Sequence, residues 1–402
     1  MVNRKEKLSW TLTHDRSFCG KLFITRFGCF TKLVFRYSFD PVLLDGPYLQ
    51  ISNHVSAFDS VLVSITTKGK PIYIVSSVQV LRGLLGRFLN WFAAPIPRRK
   101  GSAAFGTIRE CLRRLKDGHP ICIFAEGEMT WDGRAIPVIG GTASLVQAAK
   151  VPLVTFRLEG LYFSRPRWGR GIRRSRVQGR VTGVYSPGEL ANMSKDDILR
   201  LINRGIGENA YERQAGEMLR YKGRHRAECL EKFLYLCPRC PRISTRKSKG
   251  EMLYCDCGLE QRFTETGYLE PAAPFSTLPE WFDWQQEQLR LRRFEHNAPD
   301  GRLFSDEGCT FSRITDDNKE EIIGSGAVIQ YEDSLVCAGT RFGMEAIEGM
   351  DLSQIHQNHH LMFSSGGNYY QVRVEGPTNL YKYQEIWDGR HVAELEALRP
   401  KV

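Results

Sequence analysis

The 402-residue sequence predicts three parts in order: an α/β domain with a mixed, mostly parallel sheet flanked by helices, a small ribbon pinned by cysteines, and a β-rich C-terminal domain. Three observations predict it. In the first half, short apolar runs alternate with stretches of helical periodicity, as in sheets covered on both faces. Two close cysteine pairs then flank a short polar segment. From Gly301 onward, β-like runs separated by turns replace the helical pattern. The chain thus divides into 1–228, 229–270, a linker and helix at 271–300, and 301–402.

In the first part, 47–52 reads as a half-buried strand and 56–66 as a helix with Ser56 at its N-cap. His54 falls in the loop at the strand's C-terminal end, where open α/β sheets place their chemistry, and Asp59 falls on the first helical turn. A carboxylate there can accept a hydrogen bond from one imidazole nitrogen and leave the other free to take a proton from a substrate hydroxyl. Ser56 and Asp59 also fit a capping box, which accounts for both without catalysis. A helix at 102–116 carries Phe105, Ile108, Cys111, Leu112 and Leu115 on one face and stops at Gly118. The apolar run 120–124 reads as a buried parallel strand ending in Ala125-Glu126-Gly127-Glu128, so a carboxylate and a glycine also sit at a strand end. Another strand-to-loop unit, 92–100, carries Arg98, Arg99 and Lys100, and a fourth strand, 151–156, follows a small-residue helix at 141–150.

In this order and at these spacings the four segments resemble the glycerolipid acyltransferase family, which includes 1-acylglycerol-3-phosphate acyltransferases. The family's NHxxxxD block is matched by Asn53, His54 and Asp59, and its hydrophobic-variable-Arg block by Ile96-Pro97-Arg98. Its FPEGTRS block is matched in part by Phe124-Ala125-Glu126-Gly127, and its VPVVPV-like strand by Val151-Pro152-Leu153-Val154. The resemblance covers residues 20–210. It implies a lysophospholipid acyltransferase that moves an acyl group from acyl-CoA or acyl carrier protein to the sn-2 hydroxyl of 1-acylglycerol-3-phosphate, giving phosphatidic acid. His54 would be the base and Asp59 its orienting partner. Arg98, Glu126 and Gly127 would bind the acceptor, Arg98 through the phosphate that a planar guanidinium suits. Glu126 also fits a purely structural role at the strand end. Glu128-Met129-Thr130 replaces the family's Thr-Arg-Ser, and Ala125 its Pro. A cation near the phosphate is thereby lost, so either Arg98, Arg99, Lys100 or Arg134 supplies it or the acceptor carries a different headgroup.

The formal net charge of +11 favours an anionic partner: a membrane surface, phospholipid, cofactor phosphates or nucleic acid. Arg165, Arg167, Arg170, Arg173, Arg174, Arg176 and Arg180 crowd one segment with Trp168, which reads equally as a headgroup-contacting loop or a solvated one. Over 18–34, Cys19, Leu22, Phe23, Phe27, Phe30, Leu33 and Val34 share a helical face that suits an interfacial anchor or a core helix. No stretch approaches the roughly twenty apolar residues that span a bilayer, and no signal peptide is evident. The expected location is cytoplasmic, peripheral on an anionic membrane surface. Nucleic acid is not expected, because the cations of 239–249 have no aromatic residues between them. An inactive lipid-binding scaffold would have lost His54 or Asp59; both are present.

Cys237 and Cys240 are followed by fourteen residues and then by Cys255 and Cys257, a CxxC and CxC pair that suits tetrahedral zinc in a closed structural site. A disulfide is the alternative. Residues 242–250 read as a polar loop, 271–279 as a linker, and a helix opens at Trp281 and runs to Phe294. Runs at 327–331, 334–337, 361–363 and 369–374, closed by a helix with Tyr381, Tyr383 and Trp387, resemble a pleckstrin-homology-like barrel. His356, His359 and His360 are a second candidate metal group, but without nearby carboxylates or cysteines they read as a solvated loop.

Overall fold

The computed structural model describes residues 28–397 apart from 29, 69, 79–85, 87–92, 102–104, 139–140, 295–299, 317, 356–357 and 376–377. Seven strands form the first sheet: β1 (Ser38–Phe39), β2 (Leu49–Ser52), β3 (Tyr73–Ser77), β4 (Ile96–Arg98), β5 (Ile121–Phe124), β6 (Leu153–Glu159) and β7 (Gln178–Tyr185), in the order β1-β7-β6-β2-β5-β3-β4. Every pairing is parallel except β6 with β7, so the mixed, mostly parallel sheet is the one found.

Strand periodicity sorts the apolar side chains onto two faces. Leu49 and Ile51 of β2, Ile121 of β5 and Leu153 of β6 pack with α2 (Phe105–Lys116), α3 (Gly141–Ala149) and α4 (Lys195–Ile206). On the other face Cys122, Phe124, Val154, Phe156 and Leu158 meet Leu62 and Val63 of α1 (Asp59–Thr66), and this core continues without a break into the rest of the chain.

Several boundaries differ from expectation for local reasons. Helix α1 begins at Asp59, with Phe58 at its N-cap and no side-chain cap. The capping groups are consumed one turn earlier: Ser56 Oγ accepts the Phe58 N–H, and the Asp59 carboxylate accepts the Ser56 N–H. In α2, Cys111 and Leu115 are buried as the stripe requires, whereas Phe105 is 79% exposed. Only the end of the 18–34 segment is described: residues 30–35 are helical, with Thr31 and Phe35 buried and Phe30 and Leu33 projecting outward at 47% and 73% exposure. Stripe residues 19–27 lie outside the described residues. Among those described, no helix is long and apolar enough to cross a membrane.

The basic segment after β6 is neither solvated nor interfacial as a whole. Arg167, Trp168 and Arg173 are buried, with Arg167 stacked 4.0 Å over Trp131 and Arg173 lying 5.1 Å from Trp168. Guanidinium planes on indole rings let these cations enter a core.

A four-stranded antiparallel sheet follows: β8 (Arg246–Lys249), β9 (Met252–Cys255), β10 (Glu260–Phe263) and β11 (Leu269–Glu270), in the order β11-β10-β9-β8. Residues 246–249, expected within a loop, are therefore a strand of a β8–β9 hairpin. Helix α5 (Leu278–Arg290) starts three residues before Trp281 because Thr277 and Glu280 form a capping box.

The C-terminal sheet has seven strands: β12 (Arg302–Ile314), β13 (Glu320–Tyr331), β14 (Ser334–Cys337), β15 (Thr340–Gly343), β16 (Ile347–Ile355), β17 (Asn358–Ser365) and β18 (Asn368–Val374). Their order is β15-β14-β13-β12-β18-β17-β16, and α6 (Tyr381–Ala397) packs beside them. His359 is not in a solvated loop; it is buried on β17 with its ring edge-on to Trp131 at 5.3 Å.

This sheet docks on the segment after β4. Arg99 pairs with Asp316 at 3.0 Å and Lys100 with Asp351 at 2.9 Å, while Ser364 Oγ donates to Gly101 O at 2.6 Å. Gly101 has φ +68°, and a Cβ there would sit 3.0 Å from Met362 O. Trp131 stacks on Phe233 and lies 4.5 Å from the Tyr381 ring, closing the seam between the parts.

Candidate functional site

Strands β2 and β5 are parallel neighbours, so the loops leaving their C-terminal ends lie side by side. The β5 loop holds His54 from three directions. Glu126 Oε1 accepts the His54 N–H at 3.1 Å, Thr130 N–H donates to His54 O at 3.0 Å, and the Phe124 ring stacks on the imidazole at 4.6 Å. Asn53 stitches the end of β2 to β6, donating to Leu158 O and accepting from Leu158 N–H.

His54 Nδ1 lies 2.7 Å from Asp59 Oδ2. The same carboxylate accepts the Val55 N–H at 2.6 Å and the Ser56 N–H at 3.0 Å, and its residue is fully buried. Asp59 therefore serves both readings: it closes the loop as a cap would, and it orients the ring. With Nδ1–H donated to Asp59, Nε2 carries the lone pair, and the 23% exposure of the side chain leaves His54 open to solvent. This is the geometry of a positioned general base.

Glu126 joins this group as a brace. Its Oε2 accepts the Ile136 N–H at 3.0 Å, so both oxygens are engaged by backbone donors. Burial pushes its carboxyl well above the usual range, and the neighbouring Asp59 and Glu208 carboxyls add to this against the two N–H groups. Gly127 has φ +83° with nothing within 4 Å of a built Cβ, so its backbone conformation and not its bulk makes glycine suitable there.

Arg98 is not brought beside His54. From β2 through β5 and β3 to β4 is three strand spacings, roughly 14 Å. Its guanidinium donates to Arg99 O and faces Asp351 and Tyr369 of the C-terminal sheet, and burial lowers its pKa. The other candidate cations are also engaged: Arg99 and Lys100 by Asp316 and Asp351, and Arg134 by Asp132 and Asp283. Glu128, in the place of the missing Thr-Arg-Ser segment, pairs with Arg167 at 2.5 Å and accepts from Gln384 Nε2 at 3.4 Å. Sequence reasoning missed the Glu128–Arg167 pair, because 39 residues separate the two and no motif links them. It also missed the grip of Thr130 and Phe124 on His54, for which no residue pattern gives a signal.

The second cluster is the four-cysteine group. The Sγ atoms of Cys237, Cys240, Cys255 and Cys257 all lie within 4.8 Å of one another. Cys237 and Cys257 are 3.6 Å apart and Cys240 and Cys255 3.7 Å apart, and none is in a disulfide. A tetrahedron with metal–sulfur bonds of about 2.3 Å has edges of about 3.8 Å, so the four thiols fit one metal ion. The Cys237 and Cys240 pair comes from the turn before β8 and the other pair from the end of β9, where the hairpin brings them together.

In a solved structure, the 1-acyl-sn-glycerophosphate (LPA) acyltransferase PlsC from Thermotoga maritima, the match has 17% identity and a TM-score of 0.41 over 54% of this chain and 84% of that one. Residues 35–159, which carry β1 to β6 with His54, Asp59, Arg98 and Glu126, match the family model described as Acyltransferase. Over residues 35–159 the chain is therefore similar to the acyltransferase family.

Proposed function

We propose that the protein is a lysophospholipid acyltransferase, with 1-acylglycerol-3-phosphate as acceptor and acyl-CoA or acyl carrier protein as donor. The observation that carries the reading is the His54–Asp59 pair, held at 2.7 Å on the C-terminal edge of the sheet. In this mechanism Nε2 of His54 takes the proton of the acceptor hydroxyl as its oxygen attacks the thioester carbonyl. A C–O bond forms, the tetrahedral intermediate collapses, the C–S bond breaks, and the imidazolium returns its proton to the departing thiolate. Proton transfer of this kind contributes about two to four decades of rate. Asp59 stabilises the imidazolium without accepting the proton, and Glu126 holds the His54 backbone in register. Arg98 remains the candidate for the acceptor's phosphate, on the seam with the C-terminal sheet.

Around this site, the four cysteines hold structural zinc. The outward-facing Phe30 and Leu33 support a peripheral membrane contact near the N-terminal end of the described residues. The antiparallel pairing of β12 with β18 and the terminal helix support a pleckstrin-homology-like C-terminal domain.

Purified full-length protein, incubated with a panel of lysophospholipids and both donor types and analysed by mass spectrometry, tests the function. Phosphatidic acid should form, and His54→Ala should not form it. Absence of acyl transfer to any lysolipid, or near-native turnover by His54→Ala, refutes the reading.

A further inference from the structure

Arg246 is buried at 3% exposure on β8, and all three of its guanidinium nitrogens lack a hydrogen-bond partner among the described residues. A buried cation without a counter-charge is among the most costly features a fold can carry. Its position identifies what is missing. Arg246 is directly opposite Cys255 in the β8–β9 pairing, and directly opposed residues share one face of an antiparallel sheet. The groups that its guanidinium faces are the sulfurs of Cys237, Cys255 and Cys257. On its other side the guanidinium lies 4.0 Å from the Trp281 ring of α5. Trp281 Nε1–H in turn donates to Leu236 O, one residue before the first cysteine, at 3.1 Å.

As four neutral thiols the cluster offers Arg246 nothing to neutralise it. Four thiolates around one divalent cation carry a net charge of −2, and each sulfur accepts N–H hydrogen bonds. Metal binding by four thiols releases four protons to solvent, and the resulting dianion is the anion that the orphaned guanidinium lacks. Resting on the reading of the four cysteines as a metal site, we infer that Arg246 is the built-in counter-cation of that site. It donates N–H groups to the thiolate shell and tightens metal binding. Partners of this kind, beyond the ligands themselves, change metal affinity by about 10- to 100-fold.

The test uses full-length protein with Zn2+ alone as ligand, comparing wild type, Arg246→Met and Arg246→Lys. Competition against a chromogenic chelator gives the zinc dissociation constant. Arg246→Met, which keeps an apolar stem on Trp281 but removes the charge, should weaken zinc binding about 10- to 100-fold, and Arg246→Lys should recover much of the loss. A purely structural arginine would not produce the second expected result. In chelator-stripped protein, Arg246→Met should unfold at a temperature equal to or above that of wild type, because it removes an uncompensated buried charge. The inference is overturned if Arg246→Met binds zinc as tightly as wild type, or if it lowers the stability of stripped and zinc-loaded protein equally. Failure of wild type to take up stoichiometric zinc would instead overturn the metal reading, and this inference with it.

Discussion

Asp59→Asn isolates the electrostatic part of the proposed mechanism with little change of shape. The Asp59 carboxylate accepts from His54 Nδ1, Val55 N–H and Ser56 N–H in a fully buried position. Asparagine offers one oxygen and one NH2 group. The two backbone donors select the orientation in which the oxygen takes the Oδ2 place, so the imidazole keeps a neutral acceptor and loses the negative charge. With charge centres about 4 Å apart and an effective dielectric near 20, the imidazolium formed during proton transfer loses about 4 kcal/mol of stabilisation. That is about three decades of rate at 1.4 kcal/mol per decade. The NH2 group, turned toward the Ser56 N–H at the Oδ1 side, adds about 1–3 kcal/mol of lost stability. The assay measures kcat/KM for acyl transfer beside thermal unfolding of the same preparation. A fall of about three decades with a modest loss in Tm supports the mechanism. Retention of activity within tenfold would refute the claim that the Asp59 charge serves the base, leaving it only the capping role.

Arg98→Ala should weaken use of the lysolipid acceptor by about one to two decades and spare the donor, checked by varying each substrate with the other saturating; a lowered Tm with unchanged kinetics would confine Arg98 to its contacts with the C-terminal sheet. Cys257→Ser should abolish stoichiometric zinc by elemental analysis and open the 237–257 segment to proteolysis, since structural zinc contributes about 10 kcal/mol or more in small modules. Glu385, buried against Tyr235 and Gln285, has its carboxyl pushed up to about 8, chiefly by burial. Its folded value lies above its unfolded one, so its contribution is fully present below about pH 4.3 and is lost as pH rises through about 8. Denaturant titrations at pH 6 and pH 9 should therefore show wild type losing more stability than Glu385→Gln, by an amount on the order of a few kcal/mol.

Local chemistry was readable from the sequence, and chemistry assembled across strands was not. His54 and Asp59 are five residues apart in one loop, so their meeting follows from a strand end and a tight turn. Glu126 could be placed at a strand end, but its bonds to His54 and Ile136 depend on β5 lying beside β2, which spacing alone does not report. Arg98 lay in a matching motif, yet its guanidinium donates to Arg99 O and faces Asp351 and Tyr369, more than 250 residues downstream. The strand at 246–249 was hidden by its composition: with arginine in the buried slot the run reads as a solvated loop, and only the neighbouring sulfurs and Trp281 account for a cation in that place. The segment 165–180 was obscured in the same way, because indole rings that bury guanidinium groups are invisible to a count of charges.

The seam formed by Arg99, Lys100 and Gly101 with Asp316, Asp351 and Ser364 has a consequence for how this protein can be altered. One rim of the first sheet is upholstered by a module that carries none of the acyltransferase motifs. The surroundings of Arg98 are therefore a joint property of two modules. A chimera that kept residues 1–228 and exchanged everything after them would preserve every motif residue and still rebuild the surroundings of Arg98.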